Sequence, residues 1–340
     1  MADFDLSEFI ATMQHLKAQR LAVVAERVSP DDAAVTIRRL SESIHLWAHS
    51  SGSAHQSNAY PLWQPTADSI AWADYSALAP RIADFCQISA PQSDIWLDTN
   101  PTRNMTWWSM EVIRRCWLST VGALSGAATL LPEPGQVRAP IILARAGLEA
   151  LALIGQIADP EISSEERLRR NLNLRFVEVF DSEGESEAEG YPATDELVSF
   201  AEYLGFSVVY NKKKRVRPNI KRADGRRESS GASIEAMLPG LGRDMWNTQS
   251  AIAHSRAPLT LLADEYGPLH TVETWESAET SARNVLSVVL AIAKTVDALS
   301  TYTGWTAFSD DEALHACLAA LDSCHGGNDD NVRAALGFED

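Results

Sequence analysis

The chain has 340 residues, of which 45% are hydrophobic and 22% charged, a balance typical of a folded protein with a substantial apolar core. Its 29 basic and 46 acidic residues give a net charge of −17, which argues against general nucleic-acid binding. The first residues carry acids where a secretory signal carries lysine or arginine, and the longest uncharged run is too short to span a bilayer. We therefore predict a cytoplasmic protein that does not bind a membrane.

Two amphipathic helices are predicted near the start of the chain, over residues 6–28 and 30–49. The second follows a strong start signal, Ser29-Pro30-Asp31-Asp32, in which a capping serine and proline precede two acids at the positive end of the helix dipole. From 50 to 100 the apolar periodicity fades, and only short helical pieces are expected within 66–87. Seven of the ten tryptophans lie in or beside this segment: Trp47, Trp63, Trp72, Trp96, Trp107, Trp108 and Trp117.

The centre of the chain contains the clearest helical patterns. A helix is predicted from Asn100-Pro101 to Leu131, and another from Pro140 to Ala158 that is apolar nearly all round. A helix without a polar face belongs in the middle of a bundle. Ser163 and Glu166 form a capping box that begins the next helix.

Two oppositely charged segments follow. Every second residue between Asp181 and Glu189 is acidic, which predicts a solvated loop. A short helix is expected from a Thr194 cap to Gly205, and residues 206–210 are expected to be extended. The basic island, defined as residues 212–227, holds nine basic residues and one acid. Since it lacks apolar periodicity, we predict an exposed loop or short hairpin.

The C-terminal part is predicted to be helical again. A short helix begins near Ser233, a long one covers about 277–302, and a last one begins at Ser309. The fold class is therefore all-α, a multi-helix bundle with an irregular tryptophan-rich N-terminal region. We divide the chain into residues 1–100, a main bundle at 101–305 with charged loops at 181–196 and 211–228, and a C-terminal helix with an acidic tail at 306–340.

Several motifs that carry well-defined chemistry are absent from the sequence. It has no GxGxxG, Walker A, HExxH, GxSxG or DDxxD motif, and its four cysteines form no CxxC pair. His45 and His49 lie one helical turn apart, with His55 nearby, but no carboxylate has matching spacing. We predict neither a metal nor a cofactor.

Arg145 and Glu149 are the best-placed charged pair. They lie one turn apart on the apolar helix, where ionised groups are costly unless they pair with each other or with a ligand. A structural ion pair between helices is the simpler interpretation, and a catalytic site is the alternative.

A second candidate is the face formed by Trp246, Ser250 and His254, which recur at the four-residue step. A histidine one turn after a hydroxyl can act as a general base or bind a phosphate. A core histidine that bonds to Ser250 or to a backbone carbonyl explains the same pattern equally well.

The basic island is the third candidate. It could bind phosphates of RNA or of a nucleotide, with Tyr210 at its edge as the stacking residue. Its first basic residues are Lys212, Lys213, Lys214, Arg215 and Arg217. Alternatively, the island neutralises the neighbouring acidic segment, within one chain or across a homodimer.

The tryptophan-rich segment is the fourth candidate site. Its aromatic side chains either line a pocket for a small apolar or aromatic molecule or fill the core beneath an irregular loop.

From about Ala139 to Ser255 the chain resembles a loose group of actinobacterial helical proteins and the broader HEPN-like superfamily. The resemblance rests on ARAGLEALALIGQIADPEISSEERLRR (144–170) and WNTQSAIAHS (246–255), and it covers about a third of the chain. HEPN proteins are all-α bundles, often dimeric, and many cut RNA or act in defence systems. Their ribonuclease signature is an arginine, four to six intervening residues and then a histidine, whereas this chain has Asn247, Thr248 and Gln249 at the corresponding positions before His254, and its nearest preceding arginine is Arg243.

The resemblance thus implies an RNA-binding or phosphate-binding protein in defence or stress response, without implying nuclease activity by the usual mechanism. Its site would combine His254, Arg145, Glu149 and the basic island, with Arg145 replacing the missing cation beside His254. The alternatives are an enzyme or sensor for a small apolar or aromatic molecule, and a helical interaction scaffold.

Overall fold

The computed structural model describes residues 30–53, 65–89, 102, 105–133, 136, 138–184, 192–211, 216–221, 230–239, 241–253 and 278–304. In these ranges the helices are α1 (Pro30–Ser53), α2 (Ile70–Ser89), α3 (Met105–Leu130), α4 (Arg138–Ala158), α5 (Ser164–Gly184), α6 (Pro192–Tyr203), α7 (Ser230–Met237), α8 (Gly242–Ala253) and α9 (Ala278–Thr303). The strands are β1 (Val208–Asn211) and β2 (Val216–Ile220). This confirms the all-α class, while the helices predicted at 6–28 and after Ser309 lie outside the described residues.

The apolar helix α4 lies at the centre of the described bundle. It packs most extensively against α3 and α9 and also contacts α5, α7 and α8. Its buried side chains include Ile141, Leu148 and Ile154. Although it is central, α4 is not buried on every side, because Ile142 is 43% exposed. One narrow stripe of α4 therefore faces solvent, and Arg145 and Glu149 lie beside it.

Helix α2 is longer and more regular than the sequence indicated. Residues predicted as short pieces form one helix of 20 residues with Pro80 inside it. Pro80 is exposed, and so is Ser76, whose carbonyl loses its helical donor to the proline. Since water can bond that carbonyl, the hydrogen bond that Pro80 removes costs less here than it would in the core.

Both ends of α2 are fixed to other parts of the bundle. At its start Ser69 caps the helix, with its Oγ 3.1 Å from the Trp72 backbone nitrogen, and the Thr66 backbone N–H donates to the Thr303 carbonyl at 2.8 Å. Near its end the rings of Phe85 and Phe200 lie 5.1 Å apart. Helix α2 therefore bridges the end of α9 and the end of α6.

The helix boundaries of α5 and α6 depend on capping groups. The Ser163 Oγ accepts a hydrogen bond from the Glu166 backbone N–H at 3.2 Å, as predicted. Gly205 has a φ of 92°, which fits its predicted role in ending α6. The start of the acidic segment is helical and not a loop, because α5 continues to Gly184. The Glu183 carboxylate in this last turn accepts the backbone N–H of Thr194 at 3.0 Å.

The strands form an antiparallel hairpin that packs on α5. Of the two structures predicted for the basic island, a loop or a short hairpin, the hairpin is present. Val208 pairs with Ile220. The Asn173 side-chain amide both accepts from the Ile220 N–H at 2.8 Å and donates to its carbonyl at 2.9 Å, and Arg169 donates to the same carbonyl. These bonds fix β2 to α5.

Two helical stretches, Arg138–Ala158 and Asn284–Thr303, are long and apolar enough to cross a membrane by length and composition. More than half of each is buried in the bundle. The core helices of soluble proteins have the same length and apolar composition.

Arg167 on α5 is the most deeply buried charged side chain among the described residues, with 1% of its surface exposed. Its Nε donates to Asp74 Oδ2 at 2.8 Å, and its Nη1 donates to the carbonyls of Ile157 and Asp159, each at 2.7 Å. Its Nη2 donates to the Ile162 carbonyl at 3.1 Å. One guanidinium thus joins α2 to the turn between α4 and α5.

Replacing Arg167 with leucine leaves a buried carboxylate and three carbonyls without their donor. We expect Arg167→Leu to lower the free energy of unfolding by about 3–5 kcal/mol, the usual effect of breaking a buried pair. Arg217→Leu is the matched control, since Arg217 lies 3.5 Å from Asp181 with both side chains about half exposed, and its loss should cost less than about 1 kcal/mol. Urea unfolding measures both. Equal losses in the two variants would contradict this role of Arg167.

Candidate functional site

A cavity of about 360 Å³ lies beneath α2. Its roof is formed by Ala71, Tyr75 and Leu78 of α2, and its walls come from α3, α5 and α9. Residues 204 and 206, which follow α6, close one side. The other apolar or aromatic side chains that line it are Pro65, Ala77, Met105, Met110, Leu168, Leu204, Phe206 and Tyr302.

The deep end of the cavity is polar and tightly bonded. Asp74 and Arg167 form the buried ion pair described above, and the Arg167 guanidinium carbon lies 4.8 Å from the centre of the Tyr302 ring. Burial, with a smaller contribution from the Asp74 charge, raises the pKa of Tyr302 far above its usual value, although Arg167 and a hydrogen bond with Ser109 oppose the rise. The Tyr302 hydroxyl is therefore uncharged at any physiological pH.

Two oxygens at this end lack a hydrogen-bond donor among the described residues. They are Asp74 Oδ1 and Asn171 Oδ1, and both belong to residues that line the cavity. Arg81 and Glu165 line the exposed rim and carry opposite charges. With the Asp74 and Arg167 pair, the lining holds two acids and two bases, so it is formally neutral.

The structure brings together three of the predicted site residues away from this cavity. Arg145 Nη2 donates to Glu149 Oε1 at 2.9 Å, which confirms that the two charges pair with each other. The Arg145 guanidinium carbon lies 5.7 Å from the ring centre of Trp246, whose Nε1 is 3.4 Å from Glu149 Oε1. This cluster joins α4 to α8 at a half-exposed surface.

The other predicted binding residues do not converge on that cluster in the described part of the chain. Ser250 is half-buried on α8, and His254 lies outside the described residues, as do Lys212, Lys213, Lys214 and Arg215. The Tyr210 hydroxyl is 3.2 Å from Asp195 Oδ1. Arg217 pairs with Asp181 of the acidic segment, which is the neutralising contact proposed for the basic island.

The described residues contain no cluster of three or more histidine, cysteine or acidic side chains able to hold a metal ion. Cys86 and Cys116 are not in disulfide bonds. Burial raises the pKa of Cys116 to about 11, although Arg115 lowers it somewhat, so this thiol is protonated and unreactive at neutral pH. The side chains of His45 and His49, and all of His55, lie outside the described set.

The tryptophans that the structure describes do not line the cavity. Trp117 is fully buried in the core, and Trp108 is 6% exposed and donates to Glu178 at 3.0 Å. Trp72 stacks on Tyr75, with ring centres 5.1 Å apart. Helix α2 of the tryptophan-rich segment lines the cavity from above, and the apolar surface comes mainly from tyrosine, phenylalanine, methionine and leucine.

The polar residues of the cavity were missed by sequence reasoning. Asp74 lies in the segment whose periodicity fades, and Arg167 is one of four arginines of α5 that look alike in the sequence. A partial signal existed, because Arg167 and Asn171 are one helical turn apart and therefore lie on the same side of α5. Nothing in the sequence indicated that Asp74, 93 residues away, would be their neighbour.

The chain matches no protein-family model, and comparisons with curated proteins and with solved structures gave no significant match.

Proposed function

We propose that the protein binds a small, largely apolar or aromatic molecule in the cavity beneath α2, as a sensor or as an enzyme. The observation that carries this proposal is the cavity itself, which combines about 360 Å³ of space with an apolar lining and a few buried polar groups. This volume lies within the range of about 300–1,000 Å³ that is usual for ligand sites.

The cavity is a better candidate than the Arg145 cluster because it offers space with a mostly apolar lining. Arg145 already donates to Glu149 through two nitrogens, so its charge is offset before any anion arrives. The cavity, by contrast, can bury an apolar ligand against Tyr75, Phe206 and Met105. Burial of apolar surface is favourable and does not require the Asp74 and Arg167 pair to rearrange.

The fluorogenic probe 1-aminoanthracene, which is neutral and mostly apolar, tests this proposal. Its fluorescence should rise on binding, and Leu78→Trp, which fills part of the cavity, should weaken binding by at least about fivefold, or about 1 kcal/mol. Ile142→Trp is the matched control, since it adds the same ring to an exposed face of α4. The proposal is contradicted if the two variants bind the probe with similar affinity while their melting temperatures are like that of the wild type.

A second candidate is RNA or nucleotide binding by a HEPN-like homodimer, in keeping with the resemblance in residues 139–255. It is favoured by one observation, the contact between Arg145 and Trp246 on neighbouring helices, since a cation and an indole ring together suit a nucleotide. His254 and the basic island would supply the remaining contacts.

This second candidate makes a clear prediction for a labelled single-stranded RNA. Anisotropy should report binding that weakens as salt rises, and neutralising Lys212 to Arg217 should lower the affinity by about tenfold or more. His254→Ala would test the histidine separately. The idea is wrong if the wild-type protein shows no salt-sensitive binding.

A further inference from the structure

Two hydrogen-bond donors in the cavity lining indicate the chemical class of its ligand, an inference that rests on the proposed function. Asn171 and Tyr302 both line the cavity and are 5% and 2% exposed. The Asn171 side-chain oxygen has almost no accessible surface, whereas its Nδ2 is not enclosed in this way and has no acceptor among the described residues. A ligand in the cavity therefore meets the N–H2 end of this side chain.

The Tyr302 hydroxyl is the second donor. Burial is the main cause that raises the pKa of Tyr302, and a hydrogen bond with Ser109 is among the causes that lower it. A hydrogen bond that lowers the pKa of a phenol is donated to its oxygen, so Tyr302 accepts from Ser109 and keeps its own O–H available. Tyr302 and Asn171 both adjoin Arg167, whose guanidinium carbon is 4.8 Å from the Tyr302 ring centre and which lies one helical turn before Asn171.

The carboxylate and amide oxygens at the same end are out of reach of a ligand. Asp74 Oδ1 and Asn171 Oδ1 are both enclosed by protein, and Asp74 Oδ2 already accepts from Arg167 Nε at 2.8 Å. An N–H group of a ligand placed there would lose its bonds to water without gaining a strong acceptor, which is unfavourable. The deep end of the cavity therefore offers more donating than accepting capacity.

The charge of the ligand follows from the Asp74 and Arg167 pair. The two side chains neutralise each other, and Arg167 also donates to three backbone carbonyls. Neither charge is left for an ionic ligand, and a buried ion without a counter-charge is costly. Arg81 and Glu165 at the rim have opposite signs and do not change this balance. An uncharged ligand is therefore favoured.

We infer that the ligand is an uncharged molecule with an apolar or aromatic body and a carbonyl oxygen that accepts hydrogen bonds from Asn171 Nδ2 and from the Tyr302 hydroxyl. A carbonyl oxygen suits this position because it has two lone pairs and carries no hydrogen. The body of the ligand packs against Tyr75, Phe206 and Met105, which line the rest of the cavity.

Acetophenone and α-methylstyrene test the carbonyl directly, because they differ only in a C=O and a C=CH2 group of similar shape. Tyr302→Phe removes the donor hydroxyl and keeps the ring. We expect it to weaken the binding of acetophenone to the full chain by about fivefold and that of α-methylstyrene by less than about twofold. Ligand-observed NMR titrations measure both dissociation constants. Tyr203→Phe is the matched control, since Tyr203 is 43% exposed and does not line the cavity, and it should change neither constant.

A second pair of variants tests the amide donor. Asn171→Leu removes the N–H2 group while keeping a similar volume, so acetophenone binding should again weaken by about fivefold and α-methylstyrene binding should not weaken. Asn247→Leu makes the same change at an exposed position on α8 and should affect neither compound. The comparison of Tyr302→Phe with Tyr203→Phe remains decisive if Asn171→Leu does not fold.

The outcomes distinguish this inference from the proposed function. If α-methylstyrene and 1-aminoanthracene bind but acetophenone does not, or if Tyr302→Phe changes the binding of both compounds to the same extent, the cavity is a ligand site but the carbonyl assignment is wrong. If benzoate, in which a charged oxygen replaces the methyl group of acetophenone, binds more tightly than acetophenone, the argument for an uncharged ligand is overturned. If none of these compounds binds, 1-aminoanthracene included, the proposed function fails, and this inference fails with it.

Discussion

The buried guanidinium of Arg167 is the constraint on which the candidate site depends. A charge with 1% of its surface exposed is tolerable only when nearly all of its donors are bonded, and Arg167 meets this condition with Asp74 and three carbonyls. Lysine could not replace it, because one ammonium cannot reach partners arranged around a planar fork. The partners belong to α2 and to the turn between α4 and α5, so these elements have little freedom to shift relative to α5.

The cavity follows from how α2 is held. Its start is bonded to the end of α9 through Thr66 and Thr303, and its end packs on α6 through Phe85 and Phe200. Between these two contacts, the Asp74 side chain forms an ion pair with Arg167. Helix α2 is thus fixed at three places, and the space left beneath it is bounded by side chains of α3, α5 and α9.

The sequence predicted well what depends on local patterns. Helices α4 and α9, the Ser163 cap and the Gly205 end follow from spacing and capping rules that act over a few residues. The pairing of Arg145 with Glu149 was predictable for the same reason. The continuity of α2 through Pro80 could not be predicted, since it depends on the proline facing solvent. The exposed stripe of α4 could not be predicted either, because Ile142 and Ala146 are apolar residues at the surface.

The candidate site could not be predicted because its defining contact joins residues 93 positions apart. Hydrogen exchange of Asp74→Asn tests most directly whether this contact holds α2 over the cavity. Removing the charge should reduce the protection of the α2 amides by about tenfold, while the amides of α4 in the core keep theirs, since local opening does not need global unfolding. Unchanged protection in α2, or an equal loss in α2 and α4, would contradict the account.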